Sequence, residues 1–280
     1  MLQYLFMQRA LIAGVLLAVI IPCIGIVMVL KRLSMIGDAL SHTSLAGVAG
    51  GLVMGINPIL GAVVATVIAA LGIEAIRKRI PQYAELSIAV ILAAGVGLAG
   101  ILSGFVKNAA NFNSFLFGSI VAISDFELLL VALISVSVML AFLLLYKELC
   151  YIALDERAAR LAGVPVKSVN FLFTILTAVT VSVAARTVGA LVVSSLMVLP
   201  VACAMQLKRG FQKTLLFSIG FAVFFMVAGL TIAYYARLKP GGTIVLLGVV
   251  TLLALLACRS ISARRRKNRR ISMEKEARKA

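Results

Sequence analysis

Charge is scarce in this sequence. Of 280 residues, 13% are charged and 62% are hydrophobic, and the mean hydropathy is +1.13. Soluble domains are nearer half apolar and a quarter charged. The apolar runs leave too little polar sequence for such a domain, and the chain reads as one integral membrane domain. Histidine is scarcer still, because His42 is the only one. An intramembrane metalloenzyme needs two or three protein ligands on one metal, commonly with two His at HExxH spacing, so that class is set aside. The four cysteines, Cys23, Cys150, Cys203 and Cys258, show no CxxC spacing, which excludes a zinc ribbon or a disulfide framework. Cys23 and Cys203 lie in apolar runs and read as small hydrophobes. No GxxxxGK[ST] phosphate loop occurs, so the chain is read as a non-enzyme that does not itself hydrolyse ATP. No repeat relates the two halves, which leaves an ion-gradient-driven secondary transporter as the less favoured alternative.

Nine segments are apolar enough, at about 20 residues each, to cross a bilayer. They span roughly 8–30, 38–55, 58–76, 86–106, 127–146, 168–186, 189–207, 213–236 and 243–259. The stretch Leu11 to Leu30 is too long for a signal-peptide core and is read as the first membrane helix. Gly55-Ile56-Asn57-Pro58, Ile80-Pro81 and Lys239-Pro240-Gly241-Gly242 mark turns, and Pro22 and Pro200 mark kinks. Every odd segment ends in a basic stretch: Lys31-Arg32, Arg77-Lys78-Arg79, Lys147 to Lys167, Lys208-Arg209 and the tail. The positive-inside rule then puts the N-terminus outside and the C-terminus in the cytoplasm. Residues 1–258 form the transmembrane domain and 259–280 a basic tail, with ten Lys/Arg against two Asp/Glu. That tail reads as a cytoplasmic anchor near anionic membrane lipid rather than as a nucleic-acid arm. Gly47, Gly51 and Gly55 on the second segment, and Gly100 and Gly104 on the fourth, sit at GxxxG spacing and predict close helix packing, with the second helix buried in the bundle.

Two polar constellations interrupt this apolar background. In Gly37-Asp38-Ala39-Leu40-Ser41-His42 a carboxylate and the single imidazole stand four apart, on one helix face. Both are ligands for divalent transition metals. An equal alternative is that Asp38 caps the second helix and His42 makes one buried hydrogen bond. The second constellation is the polar island from Lys147 to Lys167. There Asp155-Glu156-Arg157-Ala158-Ala159-Arg160 favours a short amphipathic helix of two or three turns, stopped at Gly163 and Pro165. It is either a plain connector or the docking site for a cytoplasmic partner.

Several ordered motifs resemble one family. Lys31-Arg32-Leu33-Ser34-Met35 followed by Gly37 to His42, then Ser44-Leu45-Ala46-Gly47-Val48-Ala49, is similar to the signature of the zinc/manganese ABC-transporter permeases, the ABC-3 family. Phe115 to Ile120, Asp155 to Gly163, Thr187 to Leu196 with Pro200, and Pro240 to Leu246 follow in the family's order. The resemblance implies an all-α membrane protein with the type II ABC importer permease architecture. It also implies a homodimer, a cytoplasmic ATP-binding subunit and an extracytoplasmic metal-binding protein. Asp38 and His42 would line the metal path. Asp155, Glu156, Arg157, Ala158, Ala159 and Gly163 would belong to the helix that couples to the ATPase. No permanently bound cofactor is implied. The cargo would be zinc, as in the zinc-type members, with manganese or iron as the alternative. The binding protein would dock on the outer loops around residues 107–126 and 237–242, where Asp125 and Glu127 either attract the cation or are simply solvated.

Overall fold

A computed structural model describes residues 3–80, 83–106 and 123–277, with side chains through residue 260. Phe115 to Ile120 lies outside the described residues. All regular structure described is helical: α1 Leu5–Leu30, α2 Ile36–Met54, α3 Pro58–Arg79, α4 Ala84–Ser103, α5 Asp125–Leu144, α6 Tyr146–Leu154, α7 Glu156–Leu161, α8 Val166–Val188, α9 Ala190–Met205, α10 Phe211–Ala236 and α11 Pro240–Ala277. Seven of these helices are long and apolar enough to cross a membrane. The other two predicted segments are α2, with 19 residues, and α9, a shorter apolar helix of 16. Both are largely buried by other helices. A helix shielded from lipid can carry more polar side chains or span less of the hydrocarbon core, and α2 carries Asp38, Ser41, His42, Thr43 and Ser44.

Turn chemistry places the boundaries close to where the sequence predicts them. Gly55 ends α2 in the left-handed region, at φ 70°, a conformation glycine adopts without a Cβ clash. Asn57 then caps α3, its Oδ1 accepting from the Ile59 N–H at 2.9 Å, with Pro58 at the first helical position. Helices α1 and α9 run through Pro22 and Pro200 without a break. Helix α11 continues past Arg259 to Ala277, so no break in the helix marks the start of the basic tail.

Helices α2, α3 and α4 pack together as one group and α9, α10 and α11 as another; α8 bridges the two, α9 also touches α2, and α1 packs on α9, α10 and α5. One contiguous core runs through most of the bundle, and Leu45, Ala46 and Ala99 form a small satellite between α2 and α4. The glycine pattern is only partly a packing code. A Cβ on Gly47 would overlap the Gly61 carbonyl and meet Ala62 Cα at 2.8 Å, and one on Gly61 would lie 2.5 Å from the Gly47 carbonyl oxygen. These contacts hold α2 against α3 backbone to backbone. Gly55 is a cap instead. Gly100 and Gly104, expected to pack, have open space or only their own helix around them. It is Gly95 that brings α4 onto α2, at Thr43.

Candidate functional site

Asp38 and His42 lie on α2, with His42 Nε2 3.7 Å from Asp38 Oδ1. That is too long for a hydrogen bond, so neither group is consumed by the other. Their side chains are 30% and 27% exposed, while Ala39, Leu40, Ser41 and Thr43 around them are buried. The pair therefore forms a polar opening on a helix otherwise packed away. The capping alternative fails, because the N-cap is Met35 and Asp38 stands inside the first turn, where its charge complements the positive end of the helix.

Two contacts place this pair along α8. Lys31, which ends α1, donates to Asn170 Oδ1 at 2.8 Å. Ser44 Oγ lies 3.4 Å from Ser182 Oγ. Asn170 and Ser182 both belong to α8, twelve residues apart, which is about 18 Å along a helix axis. His42 precedes Ser44 by half a turn and so sits about 15 Å along the bundle from the level of Lys31. Beside it, Ser41 Oγ is buried without a hydrogen-bond partner. It faces a small void that Ser44, Ala185 and Arg186 also line. Among the described residues no group of three or more His, Cys, Asp or Glu is arranged to hold a metal ion. The pair supplies two donors, half of a four-coordinate site.

The second constellation is built differently from its prediction. Helix α6 was not foreseen; it follows α5 with only Leu145 between them. Asp155, extended at φ −153°, breaks the chain and caps α7, accepting from the N–H groups of Arg157 at 2.8 Å and Ala158 at 3.1 Å. Helix α7 is six residues long, less than the two or three turns expected. It is cut short because Gly163 turns left-handed, at φ 83°, while the Val164 N–H bonds back to the Ala159 carbonyl. Ala159 is buried and anchors the turn; Arg157, Ala158 and Gly163 are exposed, and Leu161 is 90% exposed.

An ion-pair chain that the sequence reading missed ties α7 to the bundle. Glu74, buried near the end of α3, accepts from Arg77 Nε and Nη2 at 3.0 Å each. Arg77 Nη1 reaches Glu156 on α7 at 3.9 Å, and Glu156 holds Arg160 at 3.3 Å. Lys78 lies 3.6 Å from Glu74. With Lys31 and Asn170 these groups line a cleft of about 750 Å³. Burial first, then the neighbouring Arg77 charge, pushes Lys31 down to about 8, while Glu156 and Glu74 act in the other direction. The one legible signal for this chain was a lone acid, Glu74, placed three and four residues before Arg77 and Lys78 in an apolar helix.

At the opposite end, the acids read as a cation lure are already matched. Arg9 Nη2 lies 2.6 Å from Asp125, and Arg186 Nε donates to Glu127 at 2.6 Å. Glu127 also completes a capping box with Ser124. These pairs join the ends of α1, α5 and α8, and they leave little free negative charge there to draw in a cation.

A family model described as the ABC 3 transport family matches residues 3–259. The chain belongs to that family. It is 36% identical to a probable metal transport system membrane protein of Treponema pallidum, over 95% of this chain and 100% of that one. It is 32% identical to the manganese transport system membrane protein MntC of Listeria monocytogenes, over 89% of each. A high-affinity zinc uptake system membrane protein, ZnuB of Haemophilus influenzae, is 26% identical over 85% of this chain and 91% of that one. Among solved structures, PsaBC from Streptococcus pneumoniae in complex with Fab matches with a TM-score of 0.81 and 26% identity, over 91% of this chain and 92% of that one. This ABC-3 protein is therefore an all-α, multi-pass membrane protein with the helix arrangement of that solved structure.

Proposed function

We propose that this ABC-3 protein is the permease subunit of an ATP-binding-cassette importer for a divalent transition metal. The observation that carries the reading is the Asp38–His42 pair, two metal-friendly donors 3.7 Å apart and both partly exposed, about 15 Å into an apolar helix bundle. An ionisable pair at that depth is costly unless it serves a pathway. A second copy of the chain, related by a two-fold axis through this opening, would supply the same two donors again. Two carboxylates and two imidazoles then make a transient four-donor station, weak enough to release its cargo. In this reading the protein works as a homodimer with its N-terminus outside and C-terminus in the cytoplasm. An extracytoplasmic binding protein delivers the metal, and a cytoplasmic ATP-binding subunit hydrolyses ATP. The exposed face of α7, with Arg157, Ala158 and Leu161, docks on that ATPase. Motion of α7 reaches α3 through Glu156, Arg77 and Glu74, and α3 is in backbone contact with α2 at Gly47 and Gly61. The Asp38–His42 station would thus alternate its access to the two sides.

Manganese and zinc are the two candidate cargoes. The manganese-named relative is more similar to this chain than the zinc-named one, at 32% against 26%, which supports manganese. An imidazole in the donor set suits zinc, and the carboxylate suits manganese. ATP-dependent uptake of ⁵⁴Mn and ⁶⁵Zn by proteoliposomes holding the complete transporter tests the reading. Asp38→Ala and His42→Ala are expected to abolish uptake of the preferred metal without loss of assembly. Normal uptake by both variants would remove the pathway role, and a dependence on an ion gradient rather than ATP would remove the ABC reading.

A further inference from the structure

A second cleft, of about 650 Å³, opens between α6 and the turn joining α9 to α10. Lys147 from α6, Lys208 and Arg209 from the turn, and Lys213 from the first turn of α10 line it, and no acidic side chain does. All four cations are exposed. Glu148 follows Lys147 in sequence but lies outside the lining, with one carboxylate oxygen buried and without a hydrogen-bond partner. Four positive charges around one cavity repel one another unless an anion enters. Helix α10 reinforces the field: it begins at Gly210 with no side-chain cap and no acid in its first turn, so its leading N–H groups are open to the same cavity.

The wall of the cleft has a second character. Tyr146 and Phe211 meet edge to face across it with ring centroids 5.7 Å apart, and Phe142 meets Tyr146 from behind, also edge to face, at 6.0 Å. Immediately beyond these rings, Leu143 and Leu144 on α5 are 63% and 71% exposed, and Leu216 and Phe217 on α10 are 70% and 43% exposed. Helices α5 and α10 are both long and apolar enough to span the membrane. The cleft therefore lies where an exposed apolar surface meets clustered cations, with an aromatic belt between them, the arrangement of a membrane interface.

We propose that this cleft binds the headgroup of an anionic phospholipid. Its phosphate would sit among Lys147, Lys208, Arg209 and Lys213, and its acyl chains would lie along Leu144, Leu216 and their neighbours. A free phosphate would use only the cations, and an acidic protein segment would gain nothing from the apolar wall; an amphiphile uses both. The site is independent of the Asp38–His42 station and of the metal carried. Cations near a membrane surface each add to anionic-lipid binding.

The test is native mass spectrometry of the full-length protein released from nanodiscs of phosphatidylglycerol or of phosphatidylcholine with the same acyl chains. The expected result is one phosphatidylglycerol retained per protomer and not displaced by inorganic phosphate, with no matching phosphatidylcholine. Lys147→Gln/Lys213→Gln is expected to weaken retention roughly 30-fold, from two lost near-surface charges. Lys208→Gln/Arg209→Gln, on an exposed turn, gives the same reading should the first pair fail to fold. Equal retention of both lipids, or unchanged retention in the folded cleft variants, would overturn the proposal. Displacement by phosphate would make the cleft a free-anion site, and retention only when an ATPase subunit is bound would make it a protein contact; either result also overturns it.

Discussion

Lys31 shows how much a single side chain can do at a helix end. It closes α1, donates to Asn170 on α8 and shares a cleft with Glu74, Arg77 and Glu156. Burial and the Arg77 charge bring its ammonium down to about 8 from an ordinary 10.5. Below pH 8 both folded and unfolded states hold the proton, and the folded state carries a constant desolvation cost. Between about pH 8 and 10.5 the unfolded chain binds more protons than the folded one, so folding becomes more favourable as pH rises. The melting temperature of the purified wild-type protein, measured against Lys31→Met, is therefore expected to gain over that interval, by an amount equivalent to at most about 3 kcal/mol. A difference that stays flat from pH 7 to 10.5 would show that Lys31 titrates as a solvated lysine. Asp38 and His42 belong to the same scale but carry a different lesson. Their chemistry is visible in five residues of sequence, whereas their partial exposure on an otherwise buried helix is not.

At the scale of elements, the link between α3 and α7 combines two pairings of unequal strength. Glu74 and Arg77 are 11% and 15% exposed and form two hydrogen bonds. Breaking such a pair strands a buried charge and costs about 3–5 kcal/mol, while replacing both partners together can be nearly neutral. The Arg77–Glu156 contact is longer, at 3.9 Å, and Glu156 is 35% exposed, so it contributes no more than about 1 kcal/mol. Thermal melting should separate the two. Glu74→Gln is expected to destabilise strongly, Glu74→Gln/Arg77→Met to recover most of the loss, and Glu156→Gln to change little. If Glu156→Gln melts like wild type yet lowers uptake per ATP hydrolysed, its pairing serves transmission rather than stability; unchanged coupling would deny it that role. Under the proposed mechanism the link from α3 to α2 runs through Gly47 and Gly61, where the two backbones touch. In lipid, helices associate by packing rather than by burial of apolar surface, so backbone contact at small residues is the stronger coupling.

Across the whole molecule, charge is sorted to two ends. Lys31, Arg77, Lys78, Arg157, Arg160 and Lys167 converge on one cleft, and Lys147, Lys208, Arg209 and Lys213 on another. Arg9 and Arg186 are matched by Asp125 and Glu127 at the far end. If the positive-inside rule orients the bundle, the two clefts face the cytoplasm. Cysteine labelling can read this directly, because a side chain at Gly210 or at Gly242 meets nothing within 4 Å. In a background with Cys150 and Cys258 replaced by Ser, Gly242→Cys is expected to react with a membrane-impermeant maleimide in intact cells. Gly210→Cys is expected to react only after permeabilisation. The opposite pattern would invert the topology.

The sequence by itself determined the helix plan, because a membrane span is a local property: about 20 apolar residues, a turn signal and a charge at the end. Segments predicted at 58–76, 168–186 and 213–236 correspond to α3, α8 and α10 within a turn. It also determined which residues carry donor chemistry, since a lone histidine four residues from an aspartate is legible without coordinates. Tertiary structure decided everything that depends on what stands opposite. Gly95 rather than Gly100 and Gly104 became the α4 contact because α2 crosses there. Asp125 and Glu127 became ion-pair partners because α1 and α8 end beside them. Glu74 became buried, and part of the α7 linkage, because α3 delivers it to the cleft floor. Composition and spacing state what a side chain can do; only the fold states which neighbour it meets, since those contacts join residues that lie far apart in the chain.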